Sequence, residues 1–95
     1  MIKQTDDLLA AFDQLQNKKE VKNFLRDLLS PTEKDELETR FQIAKLLWTT
    51  EMSYAKIAKK LNTSTTTVTR VARFLHKEPH QGYKTVLKRL FPKNN

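Results

Sequence analysis

Apolar positions recur along this chain at helical spacing, in runs separated by capping and turn residues. Leu8, Leu9, Phe12 and Leu15 share one face of a first helix that Thr5 or Asp6 opens. Asn17 is placed to cap a second helix, and Glu20, three residues on, completes a capping-box-like pair. The face that this helix buries comprises Val21, Phe24, Leu25, Leu28 and Leu29. Ser30-Pro31-Thr32-Glu33 is the sharpest boundary in the sequence. Ser30 is an N-cap, Pro31 takes the first helical position where a missing donor costs nothing, and Glu33 closes the box. The long helix that follows runs to about Thr49 and buries Leu37, Phe41, Ala44, Leu47 and Trp48. Asp35, Glu36 and Glu38 sit early in it, where the helix dipole favours anions, and Arg40 is a cation halfway along. Near the C-terminus an amphipathic helix from about Gln81 to Phe91 carries Tyr83, Val86, Leu87 and Leu90. The tails up to Gln4 and from Pro92 on are expected to fray.

Between these flanks, residues 53–75 read as two short helices meeting at a tight turn. Ile57, Ala58 and Leu61 are the inward positions of the first, and Ala58 is small enough to let a second helix cross closely. Asn62 follows, and Asn tolerates the left-handed conformation better than any residue but Gly. Thr63 or Ser64 can then cap the second helix, whose inward stripe is Val68, Val71 and Leu75. Thr65, Thr66, Thr69, Arg70 and Arg73 are left outside. This pattern fits a DNA-binding helix-turn-helix, although a plain hairpin in a small bundle has the same core. The exposed face separates the two. A Thr65-Thr66-Thr67 run is a poor choice for helix stability, whereas short hydroxyls press close to phosphates and base edges and their methyls meet thymine methyls.

Composition narrows the class. Ninety-five residues with one Gly and three Pro predict a single all-α domain over 1–95. With no cysteine there is neither a disulfide framework nor a thiolate metal site. The N-terminus lacks a signal-peptide pattern and no apolar run approaches a membrane span, so a soluble, cytoplasmic protein is expected. Net charge is +7, unevenly spread. Residues 1–40 hold seven Lys or Arg against nine acids, whereas residues 41–95 hold eleven against two, a net +9. Such a split suits a module that docks one side on a polyanion. Membrane-surface binding would need a longer basic amphipathic helix than Leu87, Leu90 and Phe91 provide. His76 and His80 are four apart, but Pro79 interrupts the helical face that would bring them together on a metal. No glycine-rich phosphate loop and no nucleophile–His–carboxylate set is present, so neither enzyme, metal nor cofactor is expected.

Residues Leu28 to Pro79 resemble the tryptophan repressor family, without a gap. The match rests on LLSPTEKDELETRFQIAKLL, EMSYAKIAKKLNTSTTTVTR and the Pro79 break, and is most similar to the YerC/YecD branch. The resemblance implies six helices folded as an intertwined homodimer, with the first three helices and the last in a shared core and the helix-turn-helix as a reading head. It implies a ligand site at Arg40 and Arg70, which match the arginines flanking the tryptophan ring, with Ser30 beside the amino group and Thr67 near both ligand and DNA. Here the chain departs from the pattern. Val71 stands where the tryptophan-binding member has glycine, and Phe74 where a ligand-contacting serine belongs. Both are expected to fill the site from within, so tryptophan is not expected to bind, and whether another effector exists is open.

The sequence thus supports a dimeric, sequence-specific regulator of transcription acting on double-stranded DNA. Thr65, Thr66, Thr67, Thr69, Arg70 and Arg73 are the candidate contacts, with Lys56, Lys59 and Lys60 reaching phosphates. The alternative is an architectural or protein-docking helix-turn-helix with little sequence preference. Their specificity ratios differ.

Overall fold

The computed structural model of the protein describes residues 4–93. All regular structure among them is helical: α1 (Gln4–Asp13), α2 (Lys18–Leu28), α3 (Pro31–Thr49), α4 (Tyr54–Lys60), α5 (Thr65–His76) and α6 (Gly82–Leu90). The chain divides into two compact units, Met1–Lys34 and Asp35–Asn95.

In the first unit the local capping logic holds. Asn17 Oδ1 accepts from the Glu20 N–H at 2.9 Å, and the Glu20 carboxylate accepts from the Gln16 N–H at 2.9 Å. Phe12 and Phe24 meet edge to face, 5.2 Å between ring centres. Yet none of its described residues is buried. Val21, Phe24, Leu25 and Leu29 are half-buried, and Leu28, expected inside, is exposed. Helix α1 ends at Asp13, so Leu15 lies beyond it. Two short helices can cover only part of their own apolar faces.

Helix α3 starts in this unit on its capping box. The Ser30 N–H donates to Glu33 Oε1 at 2.9 Å, and the Glu33 N–H donates to Ser30 Oγ at 3.2 Å. The Ser30 N–H bond to the carboxylate, with a smaller contribution from the Ser30 hydroxyl, favours the ionised form and holds the Glu33 pKa below its ordinary value.

The second unit owns the core. Ile43 and Ala44 of α3, Ile57 and Ala58 of α4, Val68, Val71 and Leu75 of α5 and Leu87 of α6 form one buried cluster. Ile43 was not on the predicted face, and Leu37, which was, is exposed. On α3, Ile43 and Ala44 are buried with Phe41, Leu46, Leu47 and Trp48 packed half-buried against the cluster, so the predicted Phe41, Ala44, Leu47 and Trp48 face the core and Ile43 joins them. The end of α6 is fastened to α3: Trp48 Nε1 donates to the Phe91 carbonyl at 2.8 Å. Lys93 Nζ stands 3.9 Å from the Trp48 ring centre, so the tail stays in contact one residue past Pro92. Residues 1–3 and 94–95, the rest of the tails expected to fray, lie outside the described residues.

The turn between α4 and α5 forms as the sequence predicts. Asn62 has φ 53°, and the N–H of Thr63 donates to the Ala58 carbonyl at 2.9 Å while that of Asn62 donates to Lys59 at 3.3 Å. This is a Schellman ending, which needs a left-handed residue at that position. Ser64, rather than Thr63, caps α5, accepting from the Thr67 N–H at 3.1 Å.

Candidate nucleic-acid interface

Helix α5 rests on Val68, Val71, Ala72 and Leu75, all buried, and this fixes which side chains it turns outward. At 3.6 residues per turn, Thr66, Arg70 and Arg73 fall opposite the buried stripe, with Thr65, Thr69 and His76 along one edge and Thr67 and Phe74 along the other. Thr65, Thr66, Thr69, Arg70 and Arg73 are exposed, and with Phe74 and Glu78 they line a shallow hollow of about 610 Å³. On α4, Lys56, Lys59 and Lys60 are all exposed, because Ile57 and Ala58 take the inward positions.

Hydrogen bonds limit what each hydroxyl can do. Thr69 Oγ1 donates to the Thr65 carbonyl at 2.8 Å. While that bond stands, its hydroxyl has no proton for a phosphate, but it can accept from a base amino group and its methyl is available for apolar contact. Thr67, a candidate contact to both ligand and DNA, is less open than Thr65, Thr66 and Thr69. It is half-buried, and its hydroxyl lies 3.0 Å from Ser64 Oγ at the cap.

Thr67 joins Arg40, Arg70, Val71, Phe74 and Tyr83 around a cavity of about 240 Å³. The structure therefore brings together five of the six predicted ligand-site residues. Ser30 belongs to the first unit, where its side chain caps α3. Val71 and Phe74 both line this cavity but differ in exposure. Val71 is 2% exposed and part of the core, whereas Phe74 is 43% exposed at the cavity rim, with the Arg70 guanidinium carbon 5.8 Å from its ring centre. Three residues along a helix leave two side chains about 60° apart, enough to put one inside and one at the edge.

Two residues of this surface escaped the sequence reading. Tyr54, 42% exposed at the start of α4, lines a second hollow with Thr69, Arg73, His76 and Glu78. Glu78, just before Pro79, reaches back to Arg73: Arg73 Nε donates to Glu78 Oε1 at 2.9 Å. Among the described residues no cluster of three His, Cys, Asp or Glu could hold a metal ion, and no helix is long and apolar enough to cross a membrane.

A basic two-helix head of this shape has a counterpart among known families. The family described as Trp repressor protein matches residues 3–91. The chain belongs to the Trp repressor family. Its members are helix-turn-helix DNA-binding regulators of transcription, not enzymes. Two solved structures agree. A Staphylococcus aureus protein described as a candidate Trp repressor is 32% identical, with a TM-score of 0.82 over 96% of this chain and 89% of that one. A TrpR-like protein of Eubacterium eligens is 32% identical, with a TM-score of 0.80 over 94% of this chain and 90% of that one. No curated protein matches. The six helices are thus the Trp repressor fold, and α4 and α5 are its helix-turn-helix.

Proposed function

We propose that this Trp repressor family member acts as a homodimer that binds double-stranded DNA sequence-specifically and represses transcription, without tryptophan as co-repressor. The observation that carries the DNA reading is the outward face of α5, where Thr66, Thr69, Arg70 and Arg73 project from a helix whose opposite side is locked into the core. Thr65, Thr66, Thr69, Arg70 and Arg73 are assigned to base edges and nearby phosphates, and Lys56, Lys59 and Lys60 to phosphates alone. Phosphate contacts supply affinity and base contacts supply choice.

Dimerisation is supported by what one chain leaves uncovered. Leu8, Leu9, Phe12 and Leu28 are exposed in the first unit, and Leu37, Val86 and Leu90 in the second. A second copy would cover them, and residues 1–95 would then fold as one cooperative domain of the dimer. The reading without tryptophan rests on Val71 and Phe74. The space beside them, about 240 Å³, is below the roughly 300 Å³ at which ligand pockets usually begin.

The deciding experiment is selection from a random DNA pool, followed by titration of the selected duplex at near-physiological salt. A regulator prefers its site over random DNA by ~10³ or more. A ratio near one would leave an architectural binder, and no binding at all would remove the DNA reading. Calorimetry at millimolar tryptophan is expected to show no heat of binding.

A further inference from the structure

Glu78 is the sole acidic residue in the sequence from Met52 to Asn95. It lines the hollow shared with Thr66, Thr69, Arg70 and Arg73, and its carboxylate meets Arg73. A carboxylate there lowers general affinity for a polyanion, since like charges repel. Its ion pair does little for the fold either: with Arg73 69% and Glu78 29% exposed, such a pair is close to neutral in stability. What the pair does is orient. Glu78 is the better-fixed partner, its own N–H bonded to the Arg73 carbonyl at 3.2 Å and its φ neighbour, Pro79, rigid. The carboxylate takes Arg73 Nε and leaves the planar Nη1–Nη2 edge unused.

We propose that Glu78 is a specificity-determining positioning residue: by holding Arg73 Nε, it presents the terminal Nη1 and Nη2 groups end-on to the O6/N7 edge of a guanine. The proposal rests on the DNA reading above and adds one base to it. End-on bidentate contact with guanine needs both terminal nitrogens in one plane and one direction, and a guanidinium on a free stem spreads over many rotamers. Restricting that spread trades general phosphate affinity for discrimination at a single base.

The test compares the parent with Glu78→Ala, Glu78→Gln and Arg73→Lys, each by random-pool selection and by titration of selected and random duplexes. A parent that selects no sequence removes the DNA reading and this proposal with it. If the parent selects a site, Glu78→Ala should lose about tenfold in preference for guanine at one position while its affinity for random DNA holds or rises. Glu78→Gln keeps an acceptor for Nε and should retain most of that preference. Arg73→Lys keeps the charge without the planar fork and should lose the same guanine, and adding Glu78→Ala to it should change nothing further. The proposal is overturned if Glu78→Ala selects the same guanine as strongly, or weakens selected and random DNA alike. Should Glu78→Ala fail to fold, Arg73→Lys decides: an unchanged guanine preference there sinks the idea while the DNA reading stands.

Discussion

Replacing Leu9 with Gln measures whether a second chain covers α1. The side chain is 66% exposed in the single chain, the largest value among the described big apolar residues. Leu and Gln have nearly equal helix propensity, so in a monomer the change should stay within about 0.5 kcal/mol. In a dimer the exposed part would be buried. A fully buried leucine contributes about 1.5–3 kcal/mol, and two-thirds of that is about 1–2 kcal/mol per chain. Two symmetric copies double it to about 2–4 kcal/mol per dimer, or roughly 30- to 1,000-fold in the dissociation constant.

The assay is urea unfolding followed by helicity at 1 and 100 µM chain, with sedimentation at the same concentrations. The parent's midpoint should rise with concentration, as it does when folding and association are one step. Leu9→Gln should lower the midpoint at both concentrations and show dissociation first at the lower. A parent midpoint independent of concentration, with a mass of 11.2 kDa in sedimentation, would refute the dimer. A concentration-dependent parent with an unaffected Leu9→Gln variant would keep the dimer but place Leu9 outside its interface.

The remaining expectations concern the reading head and the cap of α3. Asn62→Ala should cost about 1 kcal/mol, because alanine resists the left-handed turn, while Asn62→Gly should not; equal denaturant midpoints for the two would show that the turn relaxes another way. Lys59→Ala should reduce the log–log salt slope of DNA binding by about one unit and leave the selected sequence alone, and an unchanged slope would cancel the phosphate assignment. Glu33 has a folded-state pKa below its unfolded value, so its contribution is present above the unfolded pKa and is lost as pH falls through the lowered one. Acid titration should therefore destabilise the parent more than Glu33→Gln in that window, and parallel curves would show that the capping carboxylate contributes nothing.

What was legible in the sequence was local. Ser30-Pro31-Thr32-Glu33, Asn17, Asn62 and Ser64 act within one turn of themselves, and their chemistry is the same whatever the rest of the chain does. The inward stripe of α5 was legible for a related reason: Val68, Val71 and Leu75 recur at helical spacing, although Ala72, buried with them, does not stand out beside Val71. The second half of α3 was not, because Phe41, Ile43, Ala44, Leu46, Leu47 and Trp48 are apolar nearly all round and no period picks out one side. Only packing in the shared cluster with residues of α4, α5 and α6 chooses Ile43. The Arg73–Glu78 pair was hidden differently. Five residues separate them, beyond the three- or four-residue spacing that helix rules consider, and the chain leaves the helix between the two.

Phe74 shows what a comparison of residue types leaves open. Its bulk relative to serine says that less room remains, and the cavity beside it is small. Residue type does not say where the ring lies, and the ring is at the rim rather than in the core. There it lies beneath Arg70, at a distance where a guanidinium is attracted to the face of an aromatic ring. A cation held this way has fewer rotamers open to it and needs no bound ligand to hold it. If tryptophan-responsive relatives use the indole of their co-repressor to steady the matching arginine, this chain carries a stacking partner in its own sequence. Phe74→Ser would then leave Arg70 free, and random-pool selection should show the cost at the bases proposed for Arg70, with the denaturant midpoint unchanged.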